Sequence, residues 1–263
     1  METDAIVLDC RDHGESDVIV TVFSQSDGRC TAIAKGAKKS LRRFVNKLEL
    51  FSFLHIVCTK KAGRSLAFLG EAELHTSFFN LRRNLEVYLI ASVIREFLLL
   101  GIKENEPDER IFRLSLWSLH NLNLLRQPKA VLALFLVRFF DYVGYRPDLQ
   151  TCHTCIEDVV SEKKYSFDAS CGRIICSTCS LVGKKGLDLS HGTLNVLRRA
   201  QDLPLERLHR LSLSGTILRE ALNILHAYGR HLFQRDIISW RLMQTYCNHP
   251  SPGKANHSFT HYK

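Results

Sequence analysis

The sequence predicts an α+β protein of more than one domain, with a small β-barrel followed by an all-α part that carries a cysteine-rich insertion. Three observations support this prediction. Residues 1–75 consist of short runs with partial period-two alternation, apolar residues recur at helical spacing from Ser77, and two Cys-x-x-Cys pairs interrupt the helical pattern. A chain of 263 residues is long enough for one large domain or two to three small ones.

Five runs rich in β-branched and aromatic residues predict the strands of the N-terminal domain. They read AIVLDC, DVIVTVFS, RCTAIAKG, FSFLHIVCT and RSLAFLGEAEL, and turn signals such as DHGESD and QSDGR separate them. Five strands in about 75 residues is the size of a small closed or partly open barrel. A β-sandwich needs about seven strands and roughly 100 residues, so it fits less well. We therefore expect a barrel domain over residues 1–78.

The helical domain is expected over residues 79–248. Asp108 is a candidate N-cap for the stretch ERIFRLSLWSLHNLNLL. Pro128 stands where a first helical residue would, before KAVLALFLVRFFDYVGY, and the near-continuous apolar character of that stretch predicts a buried central helix. Ser190 and Ser214 are predicted to cap the last two helical stretches.

The tail and the cellular context follow from composition. Residues 249–263 are polar, contain two prolines and show no apolar period, so this tail is predicted to be disordered. The sequence contains no run of eighteen apolar residues, and its acidic start lacks the apolar core of a secretory signal. We expect a cytoplasmic protein with no membrane partner, in which an odd set of nine cysteines stays reduced.

The two Cys-x-x-Cys pairs have the spacing C-x2-C-x20-C-x2-C, which lies at the edge of the range for zinc ribbons. Each pair delivers two thiolates from one tight turn, so two turns complete a tetrahedral Zn²⁺ site with no open position, which is typical of structural zinc. The predicted ligands are Cys152, Cys155, Cys176 and Cys179, in a ribbon at about 150–182. The stretch KKYSFDASCGRIICSTC is expected to form a hairpin that leads into the second pair.

Two other interpretations of these thiols fit less well. A thioredoxin-like redox pair requires a neighbouring βαβ pattern, which is missing from the sequence, and scattered core thiols would not pair at this spacing. Cys171 lies between the pairs, does not fit a four-ligand scheme, and is expected in a loop. The remaining cysteines are isolated and are interpreted as small buried groups: Cys10, Cys30, Cys58 and Cys247.

Charge is strongly segregated near the N-terminus. Residues 1–27 hold seven acidic groups and one basic group, whereas residues 28–64 hold ten basic groups and only Glu49 as an acid. Most of the net charge of +9 therefore lies in one block, which indicates a polyanionic partner. The alternative is a solvated, flexible loop, but a surface that serves only solubility usually mixes its charges.

The basic block also suggests how nucleic acid would be held. Lysine and arginine neutralise phosphates regardless of base sequence, and aromatic rings in a basic groove stack on single-stranded bases. Phe44 is the candidate stacking residue, whereas Phe51 and Phe53 are assigned to the core on a shared strand face. The predicted DNA-binding cations are Arg29, Lys35, Lys38, Lys39, Arg42, Arg43 and Lys47.

No sequence motif supports catalysis. The patterns G-x-x-x-x-G-K-[ST], G-x-S-x-G and H-E-x-x-H do not occur. The cluster DHGESD combines His13 with three carboxylates, but a polar turn between two strands explains it at least as well. The chain is therefore predicted not to be an enzyme.

Several stretches together resemble the RecO family of bacterial recombination mediators and DNA-repair proteins. They are GESDVIVTVFSQSDGRCTAIAKGAKKS, LEVYLIASVIREFL, FLVRFFDYVGYRPDLQTCHTC, GRIICSTC and YGRHLFQRDIISWRLM, and they span residues 5–243. The resemblance implies an N-terminal OB-fold, then a helical domain with an inserted zinc ribbon. It also implies binding of single- and double-stranded DNA, and annealing of strands coated by single-strand-binding protein. Finally, it implies cooperation with RecR in loading the RecA recombinase, in the bacterial cytoplasm and on the nucleoid.

Carried over residue by residue, the resemblance makes the four paired cysteines zinc ligands and the basic strand-loop DNA-facing. The matching loop cations are Lys35, Lys38, Lys39, Arg42 and Arg43. The family docks the acidic-hydrophobic tail of single-strand-binding protein on its helical domain, where Arg138 is a candidate carboxylate partner.

Two departures from the family pattern concern the zinc ribbon. Ile156 stands where a glycine often follows the first pair, and Cys171-Gly172 stands where Gly-Gly often precedes the second, so Cys171 is a competing ligand. The alternative function is a zinc-ribbon adaptor that binds RNA or an acidic protein.

Overall fold

The computed structural model describes most of the chain, and the element bounds below refer to those parts. The described residues are 1–40, 42–59, 66–161, 163–180 and 186–248. The tail predicted to be disordered, 249–263, lies outside them, as does the end of the predicted ribbon. Of the helices in the described ranges, none combines the length and apolar character that crossing a bilayer requires.

The N-terminal part is a closed five-strand barrel, which confirms the predicted fold class. Its strands are β1 (Glu2–His13), β2 (Asp17–Ser24), β3 (Gly28–Ala34), β4 (Phe53–Thr59) and β5 (Ala67–Thr76). The strand order is β1-β2-β3-β5-β4, and β1 also pairs with β4 to close the barrel. The β3–β5 pairing is parallel, whereas the other neighbours are antiparallel.

Strand β1 is buried on both faces, which explains why its sequence is a nearly unbroken apolar run. Ala5 and Val7 point into the barrel interior, whereas Ile6 and Leu8 belong to the core shared with the helices. In an ordinary half-exposed strand every second residue would be polar. The run AIVL therefore indicates a strand that lies between two cores.

The helical part begins immediately after the barrel. Its helices are α1 (Phe79–Arg83), α2 (Leu85–Gly101), α3 (Glu109–Asn123), α4 (Pro128–Tyr142), α5 (Ser177–Ser180), α6 (His191–Asp202), α7 (Leu205–Leu208), α8 (Gly215–Phe233) and α9 (Ile238–Asn248). Ten of the 15 residues of α4 are buried, so the predicted central helix is confirmed. Pro128 is its first residue, where a missing N–H removes no helical hydrogen bond.

All three predicted N-cap residues stand at the start of their helices, and two of them make capping hydrogen bonds. The Asp108 carboxylate accepts hydrogen bonds from the N–H groups of Arg110 and Ile111, and the Ser190 hydroxyl accepts one from the N–H of Thr193. Ser214 is the N-cap residue of α8, as predicted, but its side chain makes no capping bond within the described part of the chain. The first helical residue, Gly215, has a left-handed backbone with φ of 54°.

The barrel packs against the helices through one continuous apolar core. The ring of Phe23 on β2 meets that of Phe112 on α3 edge-on, with centroids 5.5 Å apart. Beside them, the Arg95 guanidinium of α2 donates to Asp9 Oδ1 at 2.7 Å and to the Leu8 carbonyl. These contacts cover one side of the barrel and determine which side is left for ligands.

A four-strand sheet forms the cysteine-rich insertion. Its strands are β6 (Asp148–Cys152), β7 (Tyr165–Asp168), β8 (Arg173–Cys176) and β9 (Leu187–Leu189), in the order β6-β8-β7-β9. The predicted hairpin is the antiparallel β7–β8 pair. Phe167 meets Tyr228 of α8 edge-on, with ring centroids 5.7 Å apart, so the insertion is anchored on the helical core.

Candidate functional site

The four paired cysteines converge on one point of the insertion. The Sγ atoms of all four lie within 4.8 Å of one another, and those of Cys155 and Cys176 are 3.9 Å apart. Four thiolates bound to a central Zn²⁺ at about 2.3 Å would lie roughly 3.8 Å apart. The cluster therefore has the size and the donors of a tetrahedral metal site.

The sheet positions the cluster. Cys152 ends β6 and Cys176 ends β8, and the two strands are parallel neighbours, so both buried thiols leave the sheet at the same edge. Cys155 follows on the turn after β6, and Cys179 follows on α5. Each Cys-x-x-Cys pair therefore contributes one buried sulfur from a strand and one more exposed sulfur from the next turn.

The surroundings of Cys152 favour the thiolate form of its side chain. Burial raises the pKa of this thiol, but the backbone N–H groups of Cys155, Cys176 and Thr154 outweigh it, and the pKa falls to about 6. The pKa of Cys179 is raised to about 12, first by its hydrogen bond to Cys176 and then by desolvation. A bound dication would supply the positive charge that stabilises the other thiols of the cluster as thiolates.

Cys171 lies apart from this cluster. The structure places it in the turn between β7 and β8, with Sγ 3.8 Å from the Asp168 carbonyl oxygen, and it is not one of the four converging thiols. The next residue, Gly172, has φ of 69°, and an added Cβ would lie 2.6 Å from the Tyr228 hydroxyl. Gly172 is therefore needed for the turn to pack on α8, and the turn holds Cys171 away from the metal ligands.

Ile156 occupies a backbone conformation that suits glycine. Its φ is 61°, its N–H donates to the Cys152 carbonyl at 2.9 Å, and its side chain is 68% exposed. A β-branched residue is strained in the left-handed region because its branches crowd the backbone. The departure from the glycine pattern in the sequence is therefore a strained position in the first cysteine turn.

The basic block forms a turn at one end of the barrel. It follows β3 and runs through Gly36 (φ 66°) into a single 3-10 turn at Ala37–Lys39. Lys35 and Arg43 are exposed beside it. Lys39 and Arg42 are also exposed, and within the described ranges neither of them forms an ion pair with a carboxylate. Lys35, Lys39 and Arg42 are available to an external anion, and Arg43 remains exposed although its guanidinium donates to the Lys35 carbonyl at 3.4 Å.

The acidic turn between β1 and β2 holds the basic turn in place. Asp17 Oδ1 accepts the Gly36 N–H at 2.8 Å, and this bond is the main reason that the pKa of Asp17 is lowered. The Lys38 ammonium lies 3.0 Å from Asp12 Oδ2 and donates to the Gly14 carbonyl. The acidic cluster noted in the sequence is thus a structural turn, and the charge of Lys38 is partly neutralised.

Two of the predicted DNA-binding cations point elsewhere. Arg29 is half-buried at the domain interface, where it donates to the Leu99 carbonyl at 2.6 Å and lies 3.7 Å from Glu104. Lys47 donates to the Ala72 carbonyl of β5 at 2.7 Å. Because these charged groups are used inside the fold, the positions of Arg29 and Lys47 do not support direct DNA contact.

The predicted stacking role of Phe44 is also corrected. Its ring is 4% exposed and packs in the barrel interior, with the Arg43 guanidinium 5.1 Å from the ring centroid. A ring in the core has no free face for a base. Phe44 instead anchors the basic turn, so that Arg43 is held at the surface. Phe51 and Phe53 pack with the core shared by the helices, although Phe51 precedes β4 rather than lying on it.

Arg138 is committed to contacts within the helical domain. Its guanidinium donates to the Ala200 and Gln201 carbonyls in the last turn of α6 and to the Tyr142 hydroxyl at 2.5 Å. A cation at a helix C-terminus is also favoured by the helix dipole. Arg138 therefore joins α4 to α6, and its position does not support the predicted role as a carboxylate partner.

The sequence reading missed a groove between α8 and α9. This cavity of about 230 Å³ combines an apolar floor with two cations, Lys129 and Arg219. Lys129 is 3.7 Å from Glu86, whereas Arg219 is exposed and forms no ion pair with any described carboxylate. The apolar residues that line it are Leu218, Leu222, Trp240 and Met243. In the sequence, the i, i+3 spacing of Trp240 and Met243 already indicates that both side chains lie on one face of a helix.

Comparison with known proteins gives one family over nearly the whole chain. Family models described as Recombination protein O N terminal and Recombination protein O C terminal match residues 1–78 and 82–241. A DNA repair protein RecO from Syntrophobacter fumaroxidans is 32% identical over 243 residues, covering 92% of this chain and 96% of that protein. Proteins of the same name from Desulfatibacillum aliphaticivorans and Symbiobacterium thermophilum are 32% and 31% identical, over 92% of this chain and 95% and 96% of theirs.

The strain at Ile156 predicts a stabilising substitution. Ile156→Gly should raise the free energy of unfolding by about 1 kcal/mol, because glycine adopts the left-handed conformation without the clash of a branched side chain. Urea denaturation of the metal-loaded chain would measure this. Val160→Gly is the matched control, since Val160 is an exposed apolar residue of the same insertion with no positive φ, and it should be neutral or destabilising. Equal effects of both substitutions would contradict the strain argument.

Proposed function

Since the chain belongs to the RecO family of DNA repair proteins, we propose that it is a non-enzymatic recombination mediator. In this role it binds single- and double-stranded DNA and anneals strands coated by single-strand-binding protein. Together with RecR it helps load the RecA recombinase. The observation that carries this proposal is the exposed basic turn, whose cations are held on a rigid barrel and are free to meet phosphates.

Annealing requires two polyanionic strands to approach each other. Exposed cations lower the repulsion between the strands, and phosphate contacts that weaken with salt let the strands slide until their bases match. Base pairing then supplies the sequence specificity, so the protein has no bond to break or make. The basic turn needs only accessible charge and a fixed position.

We assign the DNA contacts to the cations that the fold leaves exposed. Lys35, Lys39, Arg42 and Arg43 would meet phosphates, while Lys38 fixes the turn through Asp12. Without that fixed geometry, more conformational entropy would be lost on binding, and the affinity would fall.

The metal in the four-cysteine cluster is proposed to be one structural Zn²⁺. Four thiolates from two short turns are the donor set that zinc prefers, and they leave no position for water or substrate. When bound, zinc supplies charge neutralisation and cross-links β6 to β8. The resulting role is to hold the insertion folded, because metal affinity and folding are coupled in such sites.

The groove between α8 and α9 is proposed to receive the C-terminal tail of single-strand-binding protein. A tail that combines acidic and apolar residues matches the apolar floor and the free Arg219 at its edge. The groove belongs to the helical domain and the basic turn to the barrel, so the protein would hold this partner and the DNA on different elements.

The zinc proposal predicts a simple stoichiometry. After dialysis against metal-free buffer the full chain should retain one equivalent of zinc by elemental analysis. Cys155→Ser should lose it and unfold at lower urea, because three thiolates bind zinc more weakly than four. Cys171→Ser is the matched control and should retain the full equivalent. Zinc retained by Cys155→Ser, or lost from Cys171→Ser, would contradict the assignment of ligands.

Charge reversal tests the DNA interface and the mediator function together. Lys39→Glu/Arg42→Glu should weaken binding of a single-stranded oligonucleotide at least tenfold, measured by fluorescence anisotropy. The slope of log affinity against log salt should fall by about 1.4, since each lost phosphate contact removes about 0.7. The same variant should lose acceleration of annealing between strands precoated with single-strand-binding protein, without ATP.

The matched control reverses two charges on the helical domain. Arg83→Glu/Arg235→Glu changes the net charge by the same amount at exposed arginines. It should leave the oligonucleotide affinity within about twofold. An equal loss in both variants would mean that net charge alone matters. Failure of the wild type to accelerate annealing would overturn the mediator proposal, and a preference for RNA would favour the adaptor.

The groove proposal is tested with a peptide. Arg219→Glu should weaken binding of the labelled C-terminal peptide of single-strand-binding protein at least tenfold while leaving DNA affinity unchanged, because the groove loses its unpaired cation and the basic turn is unaltered. Arg207→Glu, an exposed arginine on α7, is the control and should bind the peptide normally. Unchanged peptide affinity in Arg219→Glu would place the tail elsewhere without affecting the DNA-binding proposal.

A further inference from the structure

A second group of metal-ligating side chains lies on the outer surface of the barrel. Asp4 of β1, His55 of β4 and His75 of β5 come from three adjacent strands, and their ligating atoms lie within 4.8 Å of one another. Asp4 and His55 face each other directly across the β1–β4 pair. His75 lies at an irregularity of the β4–β5 register near Phe53.

The two imidazoles point at the same carboxylate oxygen. Asp4 Oδ1 lies 2.9 Å from Nδ1 of His55 and 3.1 Å from Nε2 of His75. Donors around a Zn²⁺ with bonds of about 2.0–2.1 Å lie roughly 3.3 Å apart, so two of the three distances are already close to those of a bound metal. Small rotations of the two rings would admit an ion between them.

A second carboxylate orients one of the rings. Glu2 Oε1 lies 3.2 Å from Nε2 of His55, on the side of the imidazole away from Asp4. A carboxylate that accepts from the far nitrogen of a histidine fixes the tautomer in which the near nitrogen can bind metal. The second ring is supported by Phe53, whose centroid is 4.9 Å from that of His75.

The chemistry and exposure of the group define the kind of ion. Two imidazoles and one carboxylate suit zinc and its neighbours in the first transition row, whereas Mg²⁺ and Ca²⁺ prefer oxygen ligands alone. The side chains of Asp4, His55 and His75 are 34–39% exposed, so solvent can reach the centre and would complete the coordination. This site would therefore bind more weakly than the four-cysteine cluster and exchange its metal.

We propose that Asp4, His55 and His75 form a second, exchangeable site for a transition-metal dication of the Zn²⁺ class, with Glu2 as a positioning residue. The ion would join β1, β4 and β5 at the pairing that closes the barrel. Asp4 lies eight residues before Asp12, a separation on the order of 25 Å along a strand, so the site is remote from the basic turn. Binding would stabilise the closed barrel, because the unfolded chain does not hold these groups together.

The test is a calorimetric titration with Zn²⁺. The full chain is first dialysed, so that it holds only its tightly bound zinc. The wild type should take up one further equivalent, and its thermal unfolding midpoint should rise by a few degrees. His75→Ala and Asp4→Asn should each weaken this second equivalent at least tenfold and abolish the shift. Glu2→Gln should weaken it about tenfold, as expected for a residue that orients a ligand.

Two controls keep the result specific. His13→Ala removes an exposed imidazole from the end of the same strand and should leave the second equivalent unchanged. Cys155→Ser should retain it while losing the tightly held zinc. Cu²⁺ should selectively broaden the NMR signals of the His55 and His75 rings in the wild type. A wild type that binds no second equivalent at 100-fold molar excess, or variants that bind it normally, would overturn the proposal.

Discussion

The arrangement of this molecule depends on one strand that is buried on both faces. Strand β1 fills the barrel with Ala5 and Val7 and meets the helices with Ile6 and Leu8. Where its apolar run ends, Asp9 pairs with Arg95 of α2 at 2.7 Å. A strand between two cores cannot shift its register without exposing one apolar set and burying polar groups. The barrel is therefore fixed on the helical domain, and its remaining surface is available for ligands.

The segregation of charge in the sequence has two consequences in the folded protein. The exposed cations after β3 point to a polyanion, while the acidic groups that precede them hold the basic turn in place through Asp12 and Asp17. A loop of free lysines would lose conformational entropy on binding each phosphate. By using Lys38 and Phe44 as anchors, the fold presents its neighbouring cations in one place.

The two candidate metal centres differ in the same physical terms. In the four-cysteine cluster, backbone N–H groups and a buried sheet edge favour thiolates, and the anchoring ring of Phe167 on Tyr228 ties the cluster to the helices. The group around Asp4 is half-exposed and shares its strands with the barrel. Four converging thiols at a buried sheet edge suit a tightly bound structural ion. The half-exposed group around Asp4 is suited to an exchangeable ion.

The sequence by itself determined the barrel, the buried central helix, the β7–β8 hairpin and the four converging thiols. These features rest on local periodicity, on capping and on the short spacing within each Cys-x-x-Cys pair. Only the tertiary structure decided the roles of Arg29, Phe44 and Arg138, because their burial depends on surfaces that come from distant parts of the chain. For the same reason, the groove between α8 and α9 could not be predicted from the sequence. Nor could the metal-ligating group at Asp4 be predicted, because His55 and His75 lie 51 and 71 residues away in the sequence and meet Asp4 only when the barrel closes.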